Sequence, residues 1–467
     1  MYHKGRFVLP LFLQENFMRR LTAFLLFLCA VCAAFPVRAQ SLSLISDEET
    51  EAVLASWLAP VFKAAGLDAS RMEIHLVKDG SINAFAAKGL HVFIHTGLIV
   101  KADNAQEIIA VLAHETGHIA GGHIVRLYEN MRIAQRNMLV SALLASVAGA
   151  AAGRSDVGVA AWAAGSASAQ NLLMGYRRTE ENAADQSAVT YLRATGHDLT
   201  GFHDIMKKLQ AQENLVVDPA THDVLWRTHP DIKDRLAFIL NESASVPPAN
   251  AKKIAAENAQ FARIRAKLYA YLSLPEKTLN AYPPEDKSLP ARYARTIAYY
   301  KSGALEKAQK EIDSLIADYP NDPFFYELKG QMLFETGHAA KAVPAYARAV
   351  ALRPRSVLLN IGYAQALTES ENPADLRKAV GVLEKIASVQ PDSPFVWRLA
   401  AIAYGRAGRT DKAVYAQAEY AFLTGDDAGA ARFANKALQV LPPSDAAYMR
   451  AQDVLNQLKS RRKNGGG

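Results

Sequence analysis

The segment His114-Glu115-Thr116-Gly117-His118 decides how the rest of this sequence is interpreted. Two histidines four residues apart lie on one face of an α-helix, so both imidazoles can bind one Zn²⁺ ion. Glu115 lies beside the first histidine and can take the proton of a metal-bound water, which makes that water a nucleophile at a peptide carbonyl. The segment therefore predicts a zinc-dependent metalloendopeptidase with one Zn²⁺ per chain.

A third protein ligand is needed, because catalytic zinc sites have three protein ligands and one open position. His123 is a weak candidate: on a continuous helix it points away from the metal face, and the longer metzincin motif requires a histidine at 124, which is Ile124. Glu181 and Asp185 lie one helical turn apart further along the chain. We expect Glu181 to bind the metal and Asp185 to accept a hydrogen bond from a ligand histidine. The alternative is two solvated acids on a charged helix.

Apolar periodicity and capping residues predict the elements around this motif. Helices are expected over 46–66, 104–125, 179–194 and 199–212 and after His229-Pro230, and strands over 72–77 and 91–96, with a turn at 87–89. Residues 134–174 are rich in Ala and Gly, but their apolar runs are shorter than the roughly 20 residues of a membrane-spanning helix. We interpret them as two soluble helices, with membrane contact as the alternative.

The C-terminal half repeats with a period of 34 residues, the period of tetratricopeptide repeats. The repeated positions are Gly303, Ala308 and Pro320, which recur as Gly337, Ala342 and Pro354. A small residue lets paired helices approach, and a proline ends each unit. The pattern predicts an α-solenoid over 255–445 whose concave surface binds proteins. A rigid structural appendage is the alternative.

The N-terminus is typical of an export signal. Arg19 and Arg20 precede the apolar run 21–35, and Val37-Arg38-Ala39 resembles a cleavage site. We therefore predict a removed signal peptide over 1–39 and a location in the periplasm, with a retained anchor as the alternative. The chain's two cysteines both lie within this signal, so the mature chain forms no disulfide.

The net charge of +7 arises at the two ends of the chain, in the signal and in the basic tail at 446–467. The region between them has no basic stripe, so we expect no nucleic-acid partner. The tail is interpreted as solvated, with peripheral contact to an anionic membrane surface as the alternative.

The motifs together resemble a known family. His114 to His118, followed by Glu181-Asn182-Ala183-Ala184-Asp185, resembles the gluzincin peptidases that include HtpX and the CAAX prenyl proteases. Further segments that resemble this family are Ile82-Asn83-Ala84-Phe85, Thr96-Gly97-Leu98, Thr228-His229-Pro230 and Arg235. The resemblance implies a fold that is mainly α with a small β-sheet: a zincin-type metalloprotease domain, 40–247, before the repeat solenoid.

The resemblance also implies roles that spacing does not show. His229 would be an extra zinc ligand that keeps the enzyme latent, or a transition-state stabiliser. Arg235 would order that segment or stabilise the oxyanion. The strand 91–96 would be the sheet edge to which an extended substrate adds.

The leading hypothesis is a periplasmic zinc endopeptidase that degrades misfolded or stalled outer-membrane proteins. The repeats would recruit the client proteins or the outer-membrane assembly machinery. A second hypothesis is a chaperone or assembly scaffold with a largely latent zinc site. A third, an exopeptidase, has no amine-recognition motif to support it.

Overall fold

The computed structural model describes residues 42–133, 136, 140, 177–213 and 232–464. Among these residues, four short strands, seven α-helices and a 3₁₀ helix (Ala69–Arg71) precede residue 250, and paired helices follow. The strands are β1 (Leu44–Ile45), β2 (Glu73–Val77), β3 (Ala84–Ala87) and β4 (His91–His95). The helices are α1 (Glu48–Ala64), α2 (Thr96–Lys101), α3 (Ala105–Ala120), α4 (123–133), α5 (177–194), α6 (Thr200–Glu213) and α7 (Ile232–Ser243). The predicted class, mainly α with a small β-sheet, is confirmed.

The strands form one sheet in the order β1-β2-β4-β3. Strand β4 pairs in parallel with β2 and antiparallel with β3. It is therefore an inner strand, and the prediction that it forms the sheet edge is wrong. Strand β3 went unpredicted because four residues are too few to establish an alternating pattern. Among the described strands it is β3 that exposes an edge beside α3.

Helix α3 carries the histidine motif and is buried along most of its length. Asn104 caps it by accepting a hydrogen bond from the Glu107 amide at 3.1 Å. Ile108 and Leu112 are fully buried in the core of the N-terminal half, and each stabilises the fold by roughly 2 kcal/mol. The helix ends at Gly121-Gly122, where Gly122 has φ +67°, and α4 then begins in a new direction. The continuous helix predicted over 104–125 is therefore wrong after residue 120.

The second half of the chain consists of helices α8 to α19. Their bounds are α8 (Ala251–Leu272), α9 (Pro275–Ala281), α10 (Leu289–Lys301), α11 (Leu305–Asp318), α12 (Pro323–Glu335), α13 (Ala339–Leu352), α14 (Val357–Glu369), α15 (Pro373–Val389), α16 (Pro394–Arg406), α17 (Thr410–Leu423), α18 (Asp427–Val440) and α19 (Ala446–Asn464). The small residues at the predicted helix contacts, Ala308 and Ala342, are fully buried, as is Ala379 in the next repeat. The second helix of that third repeat, α15, has 17 residues, whereas α13 of the second repeat has 14.

In the repeats, the turn between the first and the second helix contains a residue with positive φ, in the left-handed backbone region. Gly303, Gly337 and Gly408 supply it with φ between +75° and +81°, whereas the third repeat has Glu371 at φ +61°. We expect Glu371→Gly to stabilise the fold by roughly 0.5–1 kcal/mol, because glycine removes the Cβ strain of this conformation. Thermal unfolding measures the change. Glu371→Ala keeps the Cβ, so an equal gain in that control would contradict the explanation.

Helix α8 joins the two halves of the structure. Phe261, Ile264 and Leu268 pack in the core that contains α3, while Ala266 and Ala270 pack in the first repeat core. The predicted domain limits, 40–247 and 255–445, stay a prediction, and α8 packs against helices in both of these ranges.

Ion pairs strengthen this junction. Arg263 on α8 pairs with both Glu49 of α1 and Asp322 at the start of α12. Lys267, one turn later, lies 3.2 Å from Glu49, which also accepts a hydrogen bond from the Tyr293 hydroxyl at 2.8 Å. Buried charges are tolerated only when paired in this way, so α1 of the N-terminal half is fixed to the repeats.

Glu327 makes the stability of this junction depend on pH. Burial raises its pKa from 4.5 to about 7, although nearby Lys267 opposes the shift. The folded chain thus keeps a proton that the unfolded chain has lost, so stability falls as pH rises from 4.5 to 7. We expect Glu327→Gln to remove this dependence, roughly 1–2 kcal/mol after allowing for partial solvent exposure. Thermal unfolding at pH 5 and pH 8 tests it, with exposed Glu276→Gln as control; equal slopes in both variants would refute it.

Candidate metal centre

Two helices bring three buried side chains to one point. His114 and His118 of α3 have their Nε2 atoms 3.0 Å apart. Glu181 of α5 places Oε2 3.4 Å from His114 Nε2 and Oε1 3.3 Å from His118 Nε2. Gly117 permits the close approach of α5, since a Cβ there would lie 2.9 Å from the Ala184 carbonyl oxygen.

These distances fit a divalent cation. A tetrahedral site with metal–ligand bonds near 2.1 Å has ligand atoms about 3.4 Å apart. All three side chains are buried, and their nine-tenths burial removes competing solvent. The three residues predicted as ligands are therefore brought together, and two imidazoles with one carboxylate form a donor set that suits Zn²⁺.

The Nδ1 side of the His114 ring contacts Asp185 and Arg235. Its Nδ1 lies 2.9 Å from Asp185 Oδ1, the contact expected of a residue that fixes the tautomer. Burial and Arg235 would lower the pKa of His114, but hydrogen bonds to Asp185 and Glu181 raise it to about 9. A cation that binds His114 must therefore compete with a proton for the ring.

Arg235 of α7 is buried against the same acids. Its Nε and Nη2 donate to the two oxygens of Asp185 at 2.7 and 2.8 Å, and its Nη1 lies 2.8 Å from Glu181 Oε2. Burial would raise the pKa of Asp185, but Arg235 and His114 lower it to about 2. This geometry favours a positioning role for Arg235, so the predicted role in oxyanion stabilisation stays a prediction.

His123 has a place that the sequence analysis did not foresee. Because α3 ends before it, His123 turns back, and its Nδ1 lies 2.9 Å from Nδ1 of His118. Its Nε2 lies 2.7 Å from Glu180 Oε2, and Arg126 pairs with the same carboxylate. The assumption that His123 points away from the metal face is wrong: it contacts His118, although it is not part of the group of three residues that could hold a metal. In the sequence, the glycine pair at 121–122 was the feature that could have predicted the end of α3 before His123.

We expect His123→Leu to weaken metal binding by roughly 10–100-fold, because His118 loses the partner that orients its ring. Competition with a chelator of known affinity measures the change. The control is His338→Leu, an exposed histidine in the repeats. Equal affinities in the two variants would rule out a supporting role for His123.

Glu115 lies between the metal cluster and the sheet edge. It is buried, and its Oε2 accepts a hydrogen bond from the Ala86 amide of β3 at 3.0 Å. The neighbouring cavity is lined by Asn83, His114, Glu115 and Arg235 together with apolar residues of α6. The buried Asn83 carboxamide has no hydrogen-bond partner among the described residues, so it can bond to a ligand in this cavity.

Three predictions fall partly or wholly outside the described residues. The signal peptide 1–39 precedes the first described residue, 42. His229 lies in the segment 214–231, and the Ala-rich helices lie mostly within 134–176. In the described part of the chain, no helix has both the length and the apolar character needed to cross a membrane.

Comparisons with known proteins match both halves of the chain. Residues 48–243 match the model of peptidase family M48, and residues 313–430 match the cytochrome c-type biogenesis protein H TPR domain. The chain is 26% identical to the beta-barrel assembly-enhancing protease of Yersinia pestis over 75% of this chain and 71% of that protein. It is 25% identical to the protein of that name in Escherichia coli K12, over 83% and 79% respectively. The solved TPR protein YrrB covers 40% of this chain and 98% of its own, at 18% identity and a TM-score of 0.32.

Proposed function

We propose that this chain, a metalloprotease with a peptidase family M48 domain followed by tetratricopeptide repeats, degrades misfolded or stalled outer-membrane proteins in the periplasm. We also propose that its metal is Zn²⁺. The cluster of His114, His118 and Glu181 beside Glu115 is the observation that carries the proposal. Similarity to two beta-barrel assembly-enhancing proteases over most of their length supports the substrate class.

The residues around the cluster have separate tasks in peptide hydrolysis. When bound, Zn²⁺ polarises the scissile carbonyl and lowers the pKa of a water molecule. Glu115 takes the proton of the attacking water at its carboxylate and passes it to the leaving amine. The Ala86 amide holds one oxygen of that carboxylate at 3.0 Å, which fixes its direction. Asp185 and Arg235 keep His114 in the orientation needed for binding.

The substrate strand adds to β3. Strand β3 is the described edge beside Glu115, and an extended peptide paired with it runs along a second cavity, whose lining includes Ala86, Glu115 and His118. The unpaired carboxamide of Asn83 then bonds to the substrate backbone. An unfolded β-barrel segment supplies the extended, unpaired backbone that this mode requires.

The repeats bring clients or the assembly machinery to the protease. Tetratricopeptide repeats form extended binding surfaces for proteins, and the ion pairs of α8 fix that surface to the peptidase part. The predicted export signal and the cysteine-free mature chain support the periplasm.

The test is complementation of a strain that lacks the protein. Wild type should restore outer-membrane protein assembly and remove stalled precursors, whereas Glu115→Gln should leave the precursors uncut. Quantitative immunoblots of folded and unfolded outer-membrane proteins provide the measurement. If Glu115→Gln restores assembly as fully as wild type, the chain acts as a scaffold, a second candidate that the large share of repeats supports.

A further inference from the structure

A second group of two histidines and one glutamate lies on the sheet. Glu73 and His75 belong to β2, and His91 belongs to β4. His75 Nε2 lies 3.0 Å from His91 Nδ1, and Glu73 Oε2 lies 3.4 Å from His91 Nδ1 and 3.8 Å from His75 Nε2. These separations lie on either side of the value of about 3.4 Å expected between ligand atoms of a tetrahedral site. The ligand types and spacing thus resemble those of the buried cluster.

The strand register explains why these three residues meet. Strands β2 and β4 run in parallel with Glu73 opposite His91, and Glu73 donates its amide to the Leu90 carbonyl at 2.9 Å. Alternate residues of a strand point to the same face, so Glu73 and His75 share the face of His91. The cluster is therefore fixed by backbone pairing.

Neighbouring rings and one glycine hold the two histidines in place. The His75 ring stacks on Phe93 at 4.6 Å, and Phe93 stacks on Phe85 at 4.9 Å. Gly89, with φ +95°, leaves room for His91, because a Cβ there would lie 2.8 Å from His91 Cδ2. Both rings are thus oriented before any ligand arrives, which lowers the entropy cost of binding.

We propose that Glu73, His75 and His91 bind a first-row divalent transition-metal cation of the Zn²⁺ class, in a site separate from His114, His118 and Glu181. A donor set of two imidazoles and a carboxylate binds such cations in preference to Mg²⁺ or Ca²⁺. The Glu73 side chain is 62% exposed, so it must be ordered on binding, and water completes the coordination. This site therefore binds more weakly than the buried one.

The bound ion cross-links β2 to β4. Strand β4 in turn holds β3, whose Ala86 amide contacts Glu115. Because the site exists only in the folded chain, binding stabilises the fold as the cation concentration rises. This stabilisation does not depend on proteolysis, nor on the identity of the substrate.

Equilibrium dialysis of the full-length chain, without a histidine tag, against Zn²⁺ tests the proposal. Wild type should bind two ions per chain. The double variant His75→Gln/His91→Gln should bind one, as should His114→Gln/His118→Gln, which keeps the sheet site. His338→Gln, in the repeats, should still bind two.

Thermal unfolding gives a second measurement. In His114→Gln/His118→Gln, added Zn²⁺ should raise the unfolding temperature. When Glu73→Gln is introduced into that variant, a roughly tenfold higher Zn²⁺ concentration should be needed for the same rise. Glu73→Gln keeps both stacked histidines, so it tests the site even if the double histidine variant does not fold. One ion per wild-type chain, or an unchanged response with Glu73→Gln, would overturn the proposal.

Discussion

Glu115→Gln should lower kcat for peptide-bond cleavage by roughly 10³-fold while the metal content stays that of wild type. The amide has the size of the carboxylate but cannot accept the proton of the attacking water, and general-base catalysis contributes about 10²–10⁴-fold. None of the three candidate ligands changes. Cleavage of an unfolded outer-membrane protein, followed by gel electrophoresis beside metal analysis, measures both quantities.

Glu107→Gln is the matched control for that variant. Glu107 is another buried glutamate of α3, but it pairs with Lys208 at 2.8 Å and lies two turns before the metal cluster. Its replacement removes a buried carboxylate from the same helix without touching the site. If Glu107→Gln loses as much activity as Glu115→Gln, the loss reflects helix packing and Glu115 is not the base.

Arg235→Ala should lower the free energy of unfolding by about 3–5 kcal/mol, roughly 10 °C in unfolding temperature. The guanidinium is buried and pairs with both Asp185 and Glu181. Removing it leaves two buried carboxylates without their cation. A bound metal compensates Glu181 but not Asp185, so part of the loss persists in the metal-loaded protein. Calorimetry with and without Zn²⁺ measures both states.

The exposed Arg193 provides the comparison. Its guanidinium is about half exposed and lies 4.0 Å from Glu242, so Arg193→Ala should cost less than about 1 kcal/mol. Equal effects of the two substitutions would show that the Arg235 pairs contribute no more than a surface ion pair.

The metal helix and the repeats could be predicted from the sequence because both follow local periodicity. Two histidines at helical spacing identify their own face, and the 34-residue period identifies paired helices. The downstream acids were also predicted, since Glu181 and Asp185 share a helical face. Their distances now support those predicted roles, which remain to be tested by substitution.

The wrong predictions concern features that depend on tertiary contacts between segments. A glycine pair that ends α3 changes the direction of His123, and helical periodicity alone does not reveal such a break. Strand order requires knowledge of partners, so β4 was mistaken for an edge. The sheet cluster combines residues from two strands, Glu73 and His75 with His91, and only the register of those strands brings them together.

The shared helix α8 has a consequence for how the chain matures. Phe261, Ile264 and Leu268 complete the core around the metal helix, yet they follow the last peptidase helix in order of synthesis. While the chain emerges from the ribosome or a translocation channel, the catalytic half lacks one wall until residue 268 has passed. The core around the metal helix is therefore completed only after α8 has been synthesised, later than every helix of the catalytic half itself.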